Sequence, residues 1–130
     1  MEKITKLNFA ELAEKTIKSL IYQDRNGKSK INITTSKIRN LLSMTNTLYN
    51  YLLRLNDEVL SEDILSKIQY MKMKFAYEAG RDKVVNDFIE KADLMNQIKI
   101  IGSSKEQAMN FCRYMESLVA YHKYYGGKER

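Results

Sequence analysis

The stretch SKIRNLLSMTNTLYNYLLRL, residues 36–55, decides the fold class. Ile38, Leu41, Leu42, Thr45, Leu48, Tyr49 and Leu52 recur three and four residues apart, so they share one side of an α-helix with Ser36 placed to cap its start. The opposite side carries Arg39, Ser43, Asn46, Asn50 and Arg54, all fitted to donate or accept hydrogen bonds in water. A helix this strongly two-sided needs other helices to cover it.

Those helices are legible on either side. Asn8 and Glu11 have capping-box spacing, and Leu12, Ala13, Thr16, Ile17 and Leu20 make the inner stripe of a first helix over residues 8–22. Between the first two helices, DRNGKSKINITTS reads as a loop. Asn26-Gly27 marks a turn there, and the alternation at Ile31 and Ile33 marks a short extended segment. A third helix begins after Ser61, with Asp63 in its first turn and Ile64, Ile68, Met71, Phe75 and Ala79 facing inward. Gly80 signals an end or a kink. Val84, Val85, Phe88, Ile89, Ala92, Met95 and Ile98 then predict one helix up to Ile101-Gly102. Ser103 with Glu106, or Ser104 with Gln107, caps a fifth, whose inner residues are Ala108, Phe111, Cys112, Met115, Leu118, Val119 and His122. Gly126-Gly127 ends it, leaving a short charged tail. The expectation is an all-α fold, a compact bundle of about five helices in a single domain over residues 1–130.

Composition agrees and narrows the chemistry. The 130 residues include no proline, which suits long helices, and 44% are hydrophobic, enough for one core. Lys and Arg number 22 against 16 acids, a net charge of +6 that favours anionic partners. One cysteine excludes an internal disulfide and points to a reducing compartment, the cytoplasm. No apolar run is long enough to cross a bilayer, and MEKITKLNFAELAEK lacks the apolar core of a signal peptide.

Catalytic groups do not assemble. A single His and a single Cys cannot build a stable metal site, so no cofactor is expected. Cys112 and His122 lie ten residues apart on one helix, about 15 Å along its axis, too far for a thiolate–imidazole pair. Both fall on the inner stripe and read as core residues. Glu78 and Asp82 read as solvated charges or ion pairs with Lys74 and Arg81. A non-enzymatic protein is expected.

One segment remains unexplained by packing, KIQYMKMKFAYEAGR at residues 67–81. At 100° per residue, Lys67, Tyr70, Lys74, Tyr77 and Arg81 fall within about 80° of one another, about 130° from the inner stripe. Two readings stay open. The stripe is a snorkelling boundary, with tyrosine rings packed and ammonium groups in water. Alternatively it is a nucleic-acid track, cations neutralising phosphates while tyrosines stack on bases.

TTSKIRNLL at 34–42, YMKMKFAYEAGR at 70–81 and NFCRYMESLVAYHKYYGG at 110–127 together resemble the small helical subunit of type III-A CRISPR effector complexes, the Csm complex. The resemblance runs from about residue 8 to the end. It implies a non-catalytic five-helix bundle that stacks head to tail in several copies along crRNA and target RNA, with other Csm subunits carrying the chemistry. It also implies antiviral RNA-guided interference as the role. The RNA-binding residues it implies are Arg39, Lys72, Lys74, Arg81 and Arg113, and the helical wheels add Arg54, Lys67 and Tyr77. Lys72 conflicts with the wheel, which sets it about 160° from Lys74. Tyr114, Tyr121, Tyr124 and Tyr125 offer an interface for self-association or a packed cluster. A helical DNA-binding regulator and a protein-only assembly scaffold are the alternative functions.

Overall fold

In a computed structural model, residues 1–128 are described, and they form six helices and one two-stranded ribbon. The helices are α1 (Phe9–Leu20), α2 (Thr35–Leu53), α3 (Glu62–Arg81), α4 (Lys83–Lys91), α5 (Leu94–Ile101) and α6 (Lys105–Tyr124). The strands β1 (Tyr22–Gln23) and β2 (Ser29–Lys30) pair antiparallel around Asn26-Gly27, where Gly27 supplies a φ of 77°. Asp24 fastens that turn by accepting from the N–H groups of Asn26 and Lys28. The ladder thus falls before Ile31, and Ile33, expected in an extended segment, instead turns inward to 2% exposure. Of the charged tail expected after Gly127, only Lys128 lies within the described residues.

At the centre is α6, which lies against α1, α2 and α5. Its buried residues include the expected inner stripe, apart from half-buried Val119, and also Gln107, Asn110 and Tyr114. Together they occupy an arc of about 200° at 100° per residue, so this helix is covered on two sides and not one. Tyr114 is therefore core and no part of an exposed tyrosine surface.

The helix expected over 84–101 is two helices. Ala92 and Asp93 interrupt it, with Asp93 in the left-handed region at φ 57°. Apolar residues at 85, 88, 89, 92, 95 and 98 keep helical spacing across the break, which is why periodicity conceals it. Polar contacts hold the break. Tyr114 donates its hydroxyl to the Ala92 carbonyl at 2.9 Å, and Asp93 Oδ2 accepts from Gln97 at 2.9 Å and Asn96 at 3.0 Å.

Helix starts follow capping chemistry, with two corrections. Ser61 caps α3 as expected, accepting from the Ile64 N–H, and of the two serines open for α6 it is Ser104 that caps, accepting from the Gln107 N–H. The cap of α2 is Thr34, not Ser36, because buried Thr35 already belongs to the first turn. Asn8 makes no capping bond. Its Oδ1 accepts from Thr5 N–H at 2.7 Å, tying down the N-terminal segment instead of α1. Gly80 lies within α3, and the chain turns two residues later, at Asp82.

His122 is fully buried on α6. Its Nε2 faces the Ile33 carbonyl at 2.7 Å, which can only accept, so Nε2 carries the proton and Nδ1 is left to accept from the Thr35 hydroxyl at 3.5 Å. Gly127 closes over the ring so tightly that a Cβ there would overlap the imidazole. The next residue, Lys128, accepts at its carbonyl from Thr35 N–H at 2.7 Å.

Replacing Tyr114 by Phe tests how much the α4–α5 break depends on this core. The substitution removes the bonds to the Ala92 carbonyl and to the Thr16 hydroxyl while keeping the ring. Urea denaturation should show a loss of about 1–3 kcal/mol, the cost of stranding a buried acceptor; an unchanged midpoint would mean the break is held elsewhere.

Candidate nucleic-acid interface

The stripe on α3 acquires a neighbour in three dimensions. Lys67 meets Tyr51 near the end of α2, while Asp82, just past α3, meets Lys37 near the start of α2, so the two helices run antiparallel. Between them is a groove with two consecutive sections. One is lined by Met44, Thr47, Tyr51, Lys67, Tyr70 and Lys74, the other by Ser36, Lys37, Asn40, Glu78, Arg81 and Asp82.

Each stripe cation sits over a tyrosine ring, Tyr51 and Tyr70 lining the groove and Tyr77 lying outside its two sections. Lys67 Nζ is 4.7 Å from the Tyr51 centroid, Lys74 Nζ is 4.9 Å from that of Tyr70, and the Arg81 guanidinium carbon is 5.6 Å from that of Tyr77. Such pairs are favourable because the ring face is electron-rich. Tyr70 and Tyr77 remain 58% and 64% exposed, so their rings are not buried as the snorkelling reading would have them.

Carboxylates accompany the outer cations. Asp63 lies 3.8 Å from Lys67, and Glu78 lies 3.2 Å from Arg81. Asp82 pairs with Lys37 at 2.8 Å instead of with Lys74 or Arg81. Lys74 has no carboxylate within ion-pairing distance among the described residues, which leaves its charge the most available in the groove.

The other candidate residues distribute over three places. Arg39 and Arg54 stand exposed near the two ends of α2 and line neither groove section. Lys72 lies on the far side of α3, where it shares a depression with Lys99, Ile98 and Gly102 of the α5 end. Arg113 is half-buried on α6 and lines neither groove section. Lys37, Asn40 and Tyr51 were absent from the sequence expectation. On a wheel of α2 they fall about 100° to 160° round from Arg39, but only the packing of α3 reveals that this side borders a basic stripe.

The remaining reactive groups are sequestered. Burial pushes the Cys112 thiol up to about 12, which keeps it protonated at neutral pH. Cys112 and His122 occupy one continuous helix and do not meet. Among the described residues no three His, Cys, Asp or Glu side chains converge as metal ligands, and no helix is long and apolar enough to cross a membrane.

Asp82 has a double role as cap of α4 and partner of Lys37. The Lys37 ammonium, seconded by the Val85 and Val84 N–H groups, holds its carboxyl below the usual carboxylate range. A depressed folded-state pKa means stability that is present above the unfolded-state value and is lost as pH falls through the folded one. Asp82→Asn keeps the capping oxygen but not the charge. Thermal denaturation should place the variant below the parent at neutral pH, with the gap closing across the acid range; a gap independent of pH would show that the Lys37 pair contributes nothing.

Comparison with known proteins finds similarity to one family. The family model described as Csm2 Type III-A matches residues 13–128. A Streptococcus thermophilus protein named CRISPR system Cms protein Csm2 is 40% identical over 126 residues, spanning 97% of this chain and 98% of its own. Proteins of the same name from Enterococcus italicus and Mycobacterium tuberculosis are 38% identical over 125 residues and 35% over 103, covering 92% and 79% of this chain and 88% and 83% of their own.

Proposed function

The chain belongs to the Csm2 family, the small subunit of the type III-A CRISPR complex, and we propose that it serves there as a non-catalytic subunit that binds crRNA and target RNA through the basic side of α2 and α3. The observation that carries this reading is the groove itself. Cations from two helices gather on one side of the bundle, interleaved with exposed tyrosines. Lys67, Lys74 and Arg81 supply the track, Arg39 and Arg54 widen it on α2, and Asn40 adds a neutral donor for phosphate or sugar.

The chemistry of such contacts is backbone neutralisation, so the subunit leaves sequence recognition to guide–target pairing. Lys72, with Lys99 beside it, offers a second basic surface on the opposite side of α3. In a subunit with neighbours on both sides, that surface serves a different contact from Lys74. Other subunits of the Csm complex and further copies of this chain are the protein partners, and the cytoplasm is the compartment. The end of α6 suits the head-to-tail contact between copies. Tyr124 is 76% exposed there and packs edge-on to Tyr125 at 5.0 Å, while Tyr125 is anchored by its hydroxyl to Glu14 at 2.6 Å. An anchored ring beside an exposed one makes a stiff aromatic edge, which associates at low entropic cost. Family membership favours this reading over a DNA-binding regulator, and the basic groove favours it over a protein-only scaffold.

Removing charge at Arg39, Lys74 and Arg81 together, each to Gln, should weaken RNA binding. It should also flatten the dependence of log K on log salt by about 2, since each phosphate contact to a single strand contributes about 0.7. Unchanged affinity at fixed salt would remove these residues from the interface. Incubated with Mg²⁺ and a labelled RNA, the purified chain should leave the RNA intact; cleavage that follows the protein through purification would overturn the non-catalytic assignment.

A further inference from the structure

We infer that the side of α3 turned away from α2 forms, with α4 and α5, a docking trough for one amphipathic helix of another Csm subunit, acidic at its start and basic at its end. The inference rests on assembly with other Csm subunits and is independent of RNA binding.

Two depressions line up there. Leu65, Gln69 and Lys72 of α3 border one together with Ile98, Lys99 and Gly102. Ala76, Ala79 and Gly80 border the next together with Ile89, Glu90 and Met95. On a wheel these α3 residues fall within about 100° of one another, centred about 150° from the basic stripe. Lys99 and Gly102 face the first half of α3 and Met95 the second, so α5 runs antiparallel to α3 and the two depressions join end to end. From Leu65 to Gly80 the trough is about 22 Å long, the length of a four-turn helix.

Its walls leave room for a partner's backbone. Ala76 and Gly80 are exposed, and a Cβ on Gly80 would meet nothing within 4 Å, so close approach is open along that half. Ile68 and Ile98, then Ile89 and Met95, make the floor apolar. At the outer rim stands Met73, which remains 55% exposed and whose unbranched thioether can fit the ridges of a docked helix.

Charge selects the occupant. Half-buried Lys72 and exposed Lys99 share one end, and neither has a carboxylate within ion-pairing distance among the described residues. At the other end, Glu90 accepts only from the neutral Asn86 amide at 3.3 Å, while Asp93 is taken up by Asn96 and Gln97. A run of phosphates would be attracted at one end and repelled at the other, which disfavours RNA. A helix with acids in its first turn and lysine or arginine in its last matches both ends, and its own dipole favours that order of charge. It docks with its start over Lys72 and Lys99 and its apolar ridge in the trough. Lys72, which the wheel separates from the basic stripe, thereby gains a protein contact of its own.

The test uses the assembled Csm complex, with benzoylphenylalanine in place of Met73, irradiated and then digested. The crosslink should fall in a segment of a different subunit with apolar residues three and four apart, acids at its start and basic residues at its end. A synthetic peptide of that segment should bind the full chain. It should lose tenfold or more, at about 1.4 kcal/mol per tenfold, when Lys72→Glu and Lys99→Glu are combined, and regain binding when its own acids are changed to lysine. Ala76→Gln with Gly80→Gln, both suited to an exposed helix, should displace it as well by filling the trough. A crosslink to RNA or to another copy of this chain, no crosslink at all, or a peptide indifferent to both double variants overturns the inference while leaving RNA binding by the α2–α3 groove standing. If the chain does not co-purify with the other subunits, the assembly reading falls together with it.

Discussion

Three side chains of α6 reach out to backbone carbonyls where the chain is not helical, and the rest of the structure depends on them. Gln107 donates to the Ile4 carbonyl at 2.7 Å, Tyr114 to that of Ala92 at 2.9 Å, and His122 to that of Ile33 at 2.7 Å. These carbonyls belong to the N-terminal segment, the α4–α5 break and the approach to α2. Each would otherwise be a buried acceptor without water, a cost comparable to the hydrogen bond itself. By satisfying them, one central helix fixes three joints that helical packing alone leaves free.

The joint before α2 matters most for the proposed interface. His122 and Thr35 set where α2 begins, and the Lys128 carbonyl closes over the same point. At the same end of the groove, Asp82 caps α4 and grips Lys37, so α3 is clamped against the start of α2. The groove is thus held by contacts outside the basic stripe. The lysines and tyrosines of the α3 stripe are left with no structural duty beyond their own ion pairs and ring contacts, which is the condition for a surface that exchanges partners without loosening the fold.

The helices were legible because each buries an apolar stripe of helical period, and Ser61 and Ser104 announced their helices through capping chemistry. What stayed hidden was decided by contacts distant in sequence. The break at Asp93 is held by Tyr114 and Gln97, and no local signal marks it, since apolar spacing runs through it unbroken. The burial of Gln107 and Tyr114 was invisible for the same reason, because each faces inward only where a particular carbonyl or hydroxyl awaits it. Asn8 looked like a cap and was claimed instead by Thr5. For the candidate interface, a wheel of α3 sufficed to align Lys67, Tyr70, Lys74, Tyr77 and Arg81 and to separate Lys72. Tyr51 and Lys37 required α2 to be laid beside it.

The carboxylates in the groove bear on how tightly one subunit can bind. Exposed pairs such as Lys67 with Asp63 contribute little to stability, about 0–1 kcal/mol, so surrendering them to phosphate costs little as well. The gain from the α3 stripe is equally modest, because each outer cation only exchanges one anion for another and, within that stripe, Lys74 adds the one charge without a carboxylate partner among the described residues. Under the proposed function, a single copy makes a shallow, salt-sensitive contact with RNA. Under the proposed stacking, the same contact repeats along one strand, and every copy after the first binds at the high effective concentration set by its neighbour. On that proposal, weak units in series would bind a long strand firmly yet release a short one, so that the length of the RNA, and not its sequence, would set how long it is held.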